Sequence, residues 1–248
     1  MAYNDCVRIG YEFSNRYGDN FKVVGDAALR LVEISDEYGR VFAKDRYSII
    51  NGNVMTPYSK SYYGVGYFGE GPYEICVIGS GDMNKCGDVW ADMIRRCYKP
   101  YSMKKFITYK DCSVCDEWHN FQNFAEWFYA NYKDGMQIDK DLLKPGNKVY
   151  CPEYCCFIPQ EINKFFTNRA CNRGVYGHGV RLKPSGNFAV RVTFDGKEKS
   201  LGTFKTLSCA KSAYKTAKEG IAVILANRYK DVIEDKVYNA MINYKYIE

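Results

Sequence analysis

Between residues 176 and 214 the sequence reads YGHGVRLKPSGNFAVRVTFDGKEKSLGTFKTLSCAKSAY, and its two periodicities leave few folds open. Val180, Leu182, Phe188, Val190, Val192 and Phe194 alternate with other residues, the spacing of half-buried strands. Pro184-Ser185-Gly186-Asn187 supplies one turn, and Asp195-Gly196 supplies another suited to a tight hairpin. A third strand is expected over residues 199–204. A helix then follows, with Thr206 as its N-cap. Its apolar stripe runs Ala210, Ala213, Tyr214, Ala217, Ile221, Ile224 and Leu225 at helical spacing. The expected unit is a three-stranded antiparallel sheet packed on one long helix.

The strand face turned away from that helix is expected to carry Arg181, Lys183, Arg191, Thr193 and Lys199. Residues 173–205 hold seven Lys or Arg against two acids, Asp195 and Glu198, a local net of +5. A small sheet cannot bury so many cations, so they form a wet, positive face. Such a face is either an ordinary solvated surface or one laid into a DNA groove.

The order of residues distinguishes these readings. Gly179-Val180-Arg181-x-Lys183-Pro184-x-Gly186-x-Phe188-Ala189, Leu201-Gly202-Thr203-Phe204-x-Thr206, Ala210 and Ala213-Tyr214 together resemble the plant ethylene-response-factor (APETALA-type) DNA-binding domain over about 50 residues. The resemblance implies that the sheet, not the helix, enters the major groove, with Arg181 and Lys183 on DNA-contacting positions. His178, Ser185, Arg191 and Thr193 stand where that family usually has Arg, Trp, Glu and Arg. DNA binding is therefore implied, through His178, Arg181, Lys183, Arg191, Thr193 and Lys199, but the plant target sequence is not.

The rest of the chain sets this unit in context. The net charge of +6 sits entirely in the C-terminal third: residues 1–60 hold 8 basic and 8 acidic side chains, residues 61–172 hold 13 and 14, and residues 173–248 hold 14 and 7. No run of 18 apolar residues occurs, so no membrane span is expected. The N-terminus, MAYNDCVRIG, has no secretory pattern, and eleven cysteines without one fit a reducing cytoplasm and mostly buried thiols. For a phage-encoded chain that compartment is the host cytoplasm. Residues 1–60 read as four or five short strands, expected to close as a small β-barrel. Residues 61–85 are read as a linker that continues a Gly- and Tyr-rich stretch beginning at Tyr58, its tyrosines packed on neighbours. Its G-x-G pieces lack the strand and helix that a nucleotide-binding loop needs.

Residues 86–172 are expected as a second α+β module. One helix spans about residues 88–98 and a second residues 117–132, the latter with an aromatic inner stripe of Trp118, Phe121, Ala125, Phe128, Tyr129 and Tyr132. Residues 137–166 read as a strand, a turn at Lys144-Pro145-Gly146-Asn147, a short strand over residues 155–158, and a helix beginning at Pro159. The pieces Trp90-x-x-Met93-x-x-Arg96-Cys97-Tyr98, Cys115-x-x-Trp118-x-x-Phe121-x-x-Phe124, Asp139-Lys140-Asp141 and Tyr150-x-Pro152-Glu153-x-Cys155, ending at Asn163, resemble the HNH nuclease family in its divergent phage form. Together the two resemblances cover roughly residues 86–230, a layout similar to phage homing endonucleases or their remnants.

The HNH resemblance implies a ββα site in which one divalent metal stabilises the phosphate while a histidine activates water. It places Asp139 and Asn163 as metal ligands, an oxygen pair suited to Mg²⁺ or Mn²⁺. Lys140 stands where the base histidine belongs, and Tyr154 falls near the middle asparagine. The chain's two histidines, His119 and His178, lie outside the hairpin. Lys140 is thus the catalytic candidate beside Asp139. Two readings follow: a metal-dependent DNA endonuclease, or an HNH-derived fold without catalysis that binds or regulates DNA. Cys112-x-x-Cys115 with Cys151-x-x-x-Cys155 could instead close a structural zinc site, against the favoured reading of buried thiols. No small-molecule substrate is indicated, and the expected partner is double-stranded DNA.

Overall fold

The computed structural model describes residues 7–28, 30–99, 109, 111–167 and 173–247. The strands are β1 (Glu12–Ser14), β2 (Asn20–Ala28), β3 (Leu31–Asp36), β4 (Val41–Asp45), β5 (Ser113–Val114), β6 (Met136–Asp139), β7 (Val149–Tyr150), β8 (Cys156–Pro159), β9 (Arg173–Gly174), β10 (Gly177–His178), β11 (Val180–Leu182), β12 (Phe188–Phe194) and β13 (Lys197–Phe204). The helices are α1 (Arg46–Ile50), α2 (Lys85–Tyr98), α3 (Asp116–His119), α4 (Phe121–Asn131), α5 (Gln160–Phe166), α6 (Leu207–Arg228) and α7 (Asp235–Ile242). The chain is mixed α+β and forms two compact units: Met1–Ala130 with Lys148–Cys151, and Asn131–Asn147 with Pro152–Glu248. No helix among the described residues is long and apolar enough to cross a membrane.

In the first unit, alternating apolar residues make the strands. Phe21 and Val23 of β2 and Val32 and Ile34 of β3 are buried, and they form one core with Val7, Ile49 and Val54. The expected barrel is not formed: the sheet is an open antiparallel meander in the order β1-β2-β3-β4. Closure would require β1 to pair with β4. Instead β4 runs directly into α1, whose N-cap Asp45 accepts the Ser48 amide at 2.8 Å, and Ile49 of that helix joins the core.

Against the aromatic helices of this unit lies the Gly/Tyr stretch. Tyr62 packs on Trp90 at 4.8 Å and on Phe68 at 5.6 Å. A Cβ at Gly66 would lie 2.9 Å from the Trp90 ring, so the close approach needs glycine there. Trp90, Trp118, Phe121, Phe124 and Phe128 are buried, and the Trp90 indole donates to the Trp118 carbonyl at 2.8 Å. The single helix expected over 117–132 is broken at Asn120, which turns extended (ψ 118°) and bridges Tyr67.

In the second unit, β6 and β8 pair antiparallel from Met136↔Pro159 to Asp139↔Cys156, and α5 follows β8 at once with Pro159 as its N-cap. Strands β11, β12 and β13 form a three-stranded antiparallel sheet. Asp195 and Gly196 join β12 to β13 with φ of 52° and 68°, the left-handed pair that a tight hairpin turn requires. Thr206 Oγ1 accepts the Cys209 amide at 3.2 Å and starts α6. Gly179 sits where β12 and α6 pass; a Cβ there would collide with the Arg191 carbonyl and the Tyr214 ring.

No compact boundary falls at residues 172/173, where the two modules were expected to divide. Leu142, Cys156, Ile158 and Ile162 from the hairpin and α5 share one core with Val192 of the sheet, Ile221, Leu225 and Ala226 of α6, and Val237 and Met241 of α7. The α6 stripe is correspondingly wider than expected on one side. Ala222 and Ala226 are buried, whereas Ile224 is 49% exposed. Because Leu225 sits in this shared core, Leu225→Ala should cost about 2–5 kcal/mol. Hydrogen exchange of the full chain should show amides of β8 and β12 losing protection together. Retained protection in β8 with loss in β12 would contradict a common core.

Candidate functional site

Two groups of side chains in the second unit carry the expected chemistry. The first is the outer face of the three-stranded sheet. Val180, Val190 and Val192 turn inward and are buried, so Arg181, Arg191 and Thr193 turn outward and are exposed. Register places Arg181 beside Ala189, Arg191 beside Ser200, and Thr193 beside Glu198. Lys183 reaches the same face, its ammonium donating to Thr203 Oγ1 at 3.1 Å, where Thr203 opposes Ala189. Arg191 pairs with Glu198 at 2.6 Å, both about half exposed.

Two residues expected on this face lie elsewhere. Lys199 opposes the buried Val192, and its ammonium lies 4.8 Å from the centre of the Phe194 ring on the helix side. The cause is a register shift: Val190 opposes Gly202 but Arg191 opposes Ser200, leaving Leu201 as an extra residue. Gly202 accommodates the shift at φ 115°. His178 is 7% exposed, its Nδ1 lies 2.7 Å from the Tyr246 hydroxyl, and its ring stacks on Tyr214. Both are corrections to the expected set.

The second group is the hairpin and helix. Asp139, at the end of β6, accepts the Asp141 amide at 2.9 Å and the Leu142 amide at 2.7 Å through Oδ1. Oδ2 accepts no hydrogen bond from the described residues. Burial pushes the carboxyl above the usual 3.8, against those two amides, which favour its charged form. From α5, Asn163 donates through Nδ2 to Gln137 Oε1 at 2.7 Å, and its own side-chain oxygen accepts no hydrogen bond from the described residues. Gln137 and Asp139 are two apart on β6, so Asn163 stands over the strand face that bears Asp139.

Lys140 is buried at 6% exposure. Its ammonium donates to both Asp141 oxygens at 2.7 and 2.8 Å and to the Asn147 carbonyl at 3.0 Å, while Asn147 Nδ2 returns a bond to the Lys140 carbonyl at 2.9 Å. In this structure Lys140 clasps the loop from 140 to 147 through Asp141 and the Asn147 carbonyl. Tyr154 lies under a different cation, Lys144, at 4.1 Å.

For a hard divalent cation the donor set fits in kind: one carboxylate oxygen and one amide oxygen, with remaining positions for water and phosphate, as Mg²⁺ commonly takes. Among the described residues no three His, Cys, Asp or Glu are grouped to hold a metal, so Cys112, Cys115, Cys151 and Cys155 do not form a ready zinc site. Cys112, Cys115 and Cys151 belong to the first unit and Cys155 to the second. Burial raises the Cys115 thiol, with Cys151 among its electrostatic neighbours. His119 stays in the first unit, 3.2 Å from the Tyr98 hydroxyl, and burial lowers its pKa.

Sequence reasoning missed Gln137 and Asn147, which orient Asn163 and the Lys140 loop. It also missed Lys218, which follows Tyr214 by four residues and precedes Leu225 by seven. A lysine inside an apolar stripe was the available signal. Comparisons with family models, with curated proteins and with solved structures find no match.

The Asp139 shift has a definite sign. A carboxyl raised on folding favours the fold while protonated, and that contribution is lost as pH rises through the folded value. Asp139→Asn keeps an Oδ1 acceptor for both amides without the buried charge. The variant should therefore melt higher than wild type at pH 7 and lose the advantage below about pH 4. A Tm difference that stays constant from pH 3 to pH 8 would refute the assignment.

Proposed function

We propose that the chain binds duplex DNA through the outer face of β11, β12 and β13, laid into the major groove. The observation that carries this reading is the exposed cluster of Arg181, Lys183, Arg191 and Thr193 on one face of a sheet whose other face is buried by α6. The resemblance to the ethylene-response-factor domain supports the same surface. Arg191 would exchange Glu198 for phosphate or base at small cost, since an exposed ion pair contributes about 0–1 kcal/mol.

Binding of the full chain to duplex DNA should weaken with salt by about 0.9 log units per log unit of salt for each phosphate neutralised. Arg181→Ala should cost about 1–3 kcal/mol on the preferred sequence and less on random DNA. Lys199→Ala, on the other side of the sheet, should change both far less. Affinity that is flat in salt, or a Lys199→Ala loss equal to that of Arg181→Ala, would sink this interface.

A second reading, metal-dependent cleavage of the HNH type, is favoured by one observation: Asp139 Oδ2 and the Asn163 amide oxygen are left open around a strand–strand–helix unit. Asp139 and Asn163 would hold Mg²⁺ or Mn²⁺, which would supply Lewis-acid stabilisation of phosphate charge when bound. The two amides on Oδ1 hold the carboxylate, and the Lys140 clasp fixes the loop beside it. Phage homing-endonuclease ancestry, a cytoplasmic setting and recognition of one target sequence belong to this reading. Cutting of plasmid DNA should be abolished by EDTA and by Asp139→Ala, with DNA binding nearly unchanged. Intact plasmid after incubation of wild type with either metal would leave the non-catalytic DNA-binding protein.

A further inference from the structure

Within the second unit a cleft of about 740 Å³ opens between α5, the ends of β11 and β12, and the middle of α6. Its charges are unequally matched. Three carboxylates line it, and each is occupied: Glu161 and Asp195 by Arg228 at 2.7 and 2.8 Å, Glu198 by Arg191 at 2.6 Å. Three cations line it with no acidic partner among the described residues: Lys164, Arg181 and Lys218. Arg228 serves two carboxylates at once, so the lining keeps a modest positive excess, and that excess sits on Lys164, Arg181 and Lys218.

Two lining groups are built into the fold rather than scattered on the surface. Lys218 lies over the Phe165 ring at 3.5 Å and donates one hydrogen bond, to the Phe165 carbonyl at 2.9 Å. Its other two N–H groups have no acceptor among the described residues. Burial brings its ammonium down to about 8, the direction expected of a cation held without a counter-charge. The His178 ring also lines the cleft; its Nδ1 is committed to Tyr246, while its Nε2 is buried with no hydrogen-bond partner among the described residues. A buried unpaired ring nitrogen costs free energy unless a ligand completes it.

We propose that this cleft is a phosphate-binding site, with Lys218 and Arg181 as the principal cations and the His178 ring as part of its wall. A phosphate group offers several acceptor oxygens and negative charge, which matches the Lys218 and Arg181 donors that line one cavity. Arg181, Arg191 and Thr193 border both the cleft and the outer sheet face, so the phosphate could belong to bound DNA or to a free phosphate compound. The site goes beyond the sheet interface, and its phosphate titration needs no DNA.

The experiment follows the Lys218 ε-methylene and His178 ring resonances of the full chain by NMR. Inorganic phosphate is titrated against chloride at constant ionic strength. Both signals should move along one saturable curve, and Lys218→Met should weaken phosphate binding at least tenfold. Lys215→Met, on the same helix but outside the cleft, should leave it unchanged. Lys218→Arg, which retains the cation, should retain most of the binding. Saturating duplex DNA should either reproduce the phosphate-induced shifts, assigning the source to the DNA backbone, or leave the site open to added phosphate, assigning a free phosphate compound. Linear, unsaturable shifts, or an equal loss in Lys215→Met, would overturn the proposal even if the sheet binds DNA. Loss of DNA binding in Lys183→Ala with phosphate binding intact would separate the two surfaces.

Discussion

Burial of α6 on more than one side is the constraint on which the second unit rests. Its sheet-facing residues meet β11, β12 and β13, while Ile221, Leu225 and Ala226 also meet the hairpin, α5 and α7 in one core. Each fully buried Leu or Ile contributes about 1.5–3 kcal/mol by leaving water. These contacts therefore hold together two pieces that, on motif alone, read as consecutive modules. The strand face bearing Asp139 and the cation-bearing sheet face are parts of a single packed body.

Charge in this body is handled in two ways. Where a cation is buried in a loop it is fully engaged, as Lys140 is by Asp141 and Asn147. Along the open surface some cations pair, as Arg191 does with Glu198, while Arg181 and Lys164 have no acidic partner among the described residues. The first arrangement is what a low-dielectric setting demands of an ammonium. The second is affordable only in water or against a ligand. This contrast directs attention to the sheet and the cleft beside it.

Much of the local structure was legible because it follows from short-range rules. The Asp195-Gly196 turn, the Thr206 cap, the Pro159 helix start and the alternation of Val180, Val190 and Val192 each depend on residues a few positions apart. The misplacements came from long-range or irregular features. Lys199 changes face because of one extra residue at Leu201, which alternation alone cannot locate. His178 is drawn inward by Tyr246, 68 residues away. The barrel expected for residues 1–60 stays open because β4 passes directly into α1, and the helix expected over 117–132 breaks where Asn120 meets Tyr67. At the candidate site the HNH resemblance singles out Asp139 and Asn163, whereas the Gln137 and Asn147 contacts around them required the fold.

Strand β7 lies in the excursion between β6 and β8, and it pairs in parallel with β5 of the first unit. The backbone consequently passes between the units three times, after Ala130, Asn147 and Cys151. Neither unit is a contiguous segment that recombination could have copied or discarded by two cuts in the gene. Whatever the separate histories of the sequence motifs, the stretch that carries the hairpin also carries, between its two strands, a short segment of the first unit.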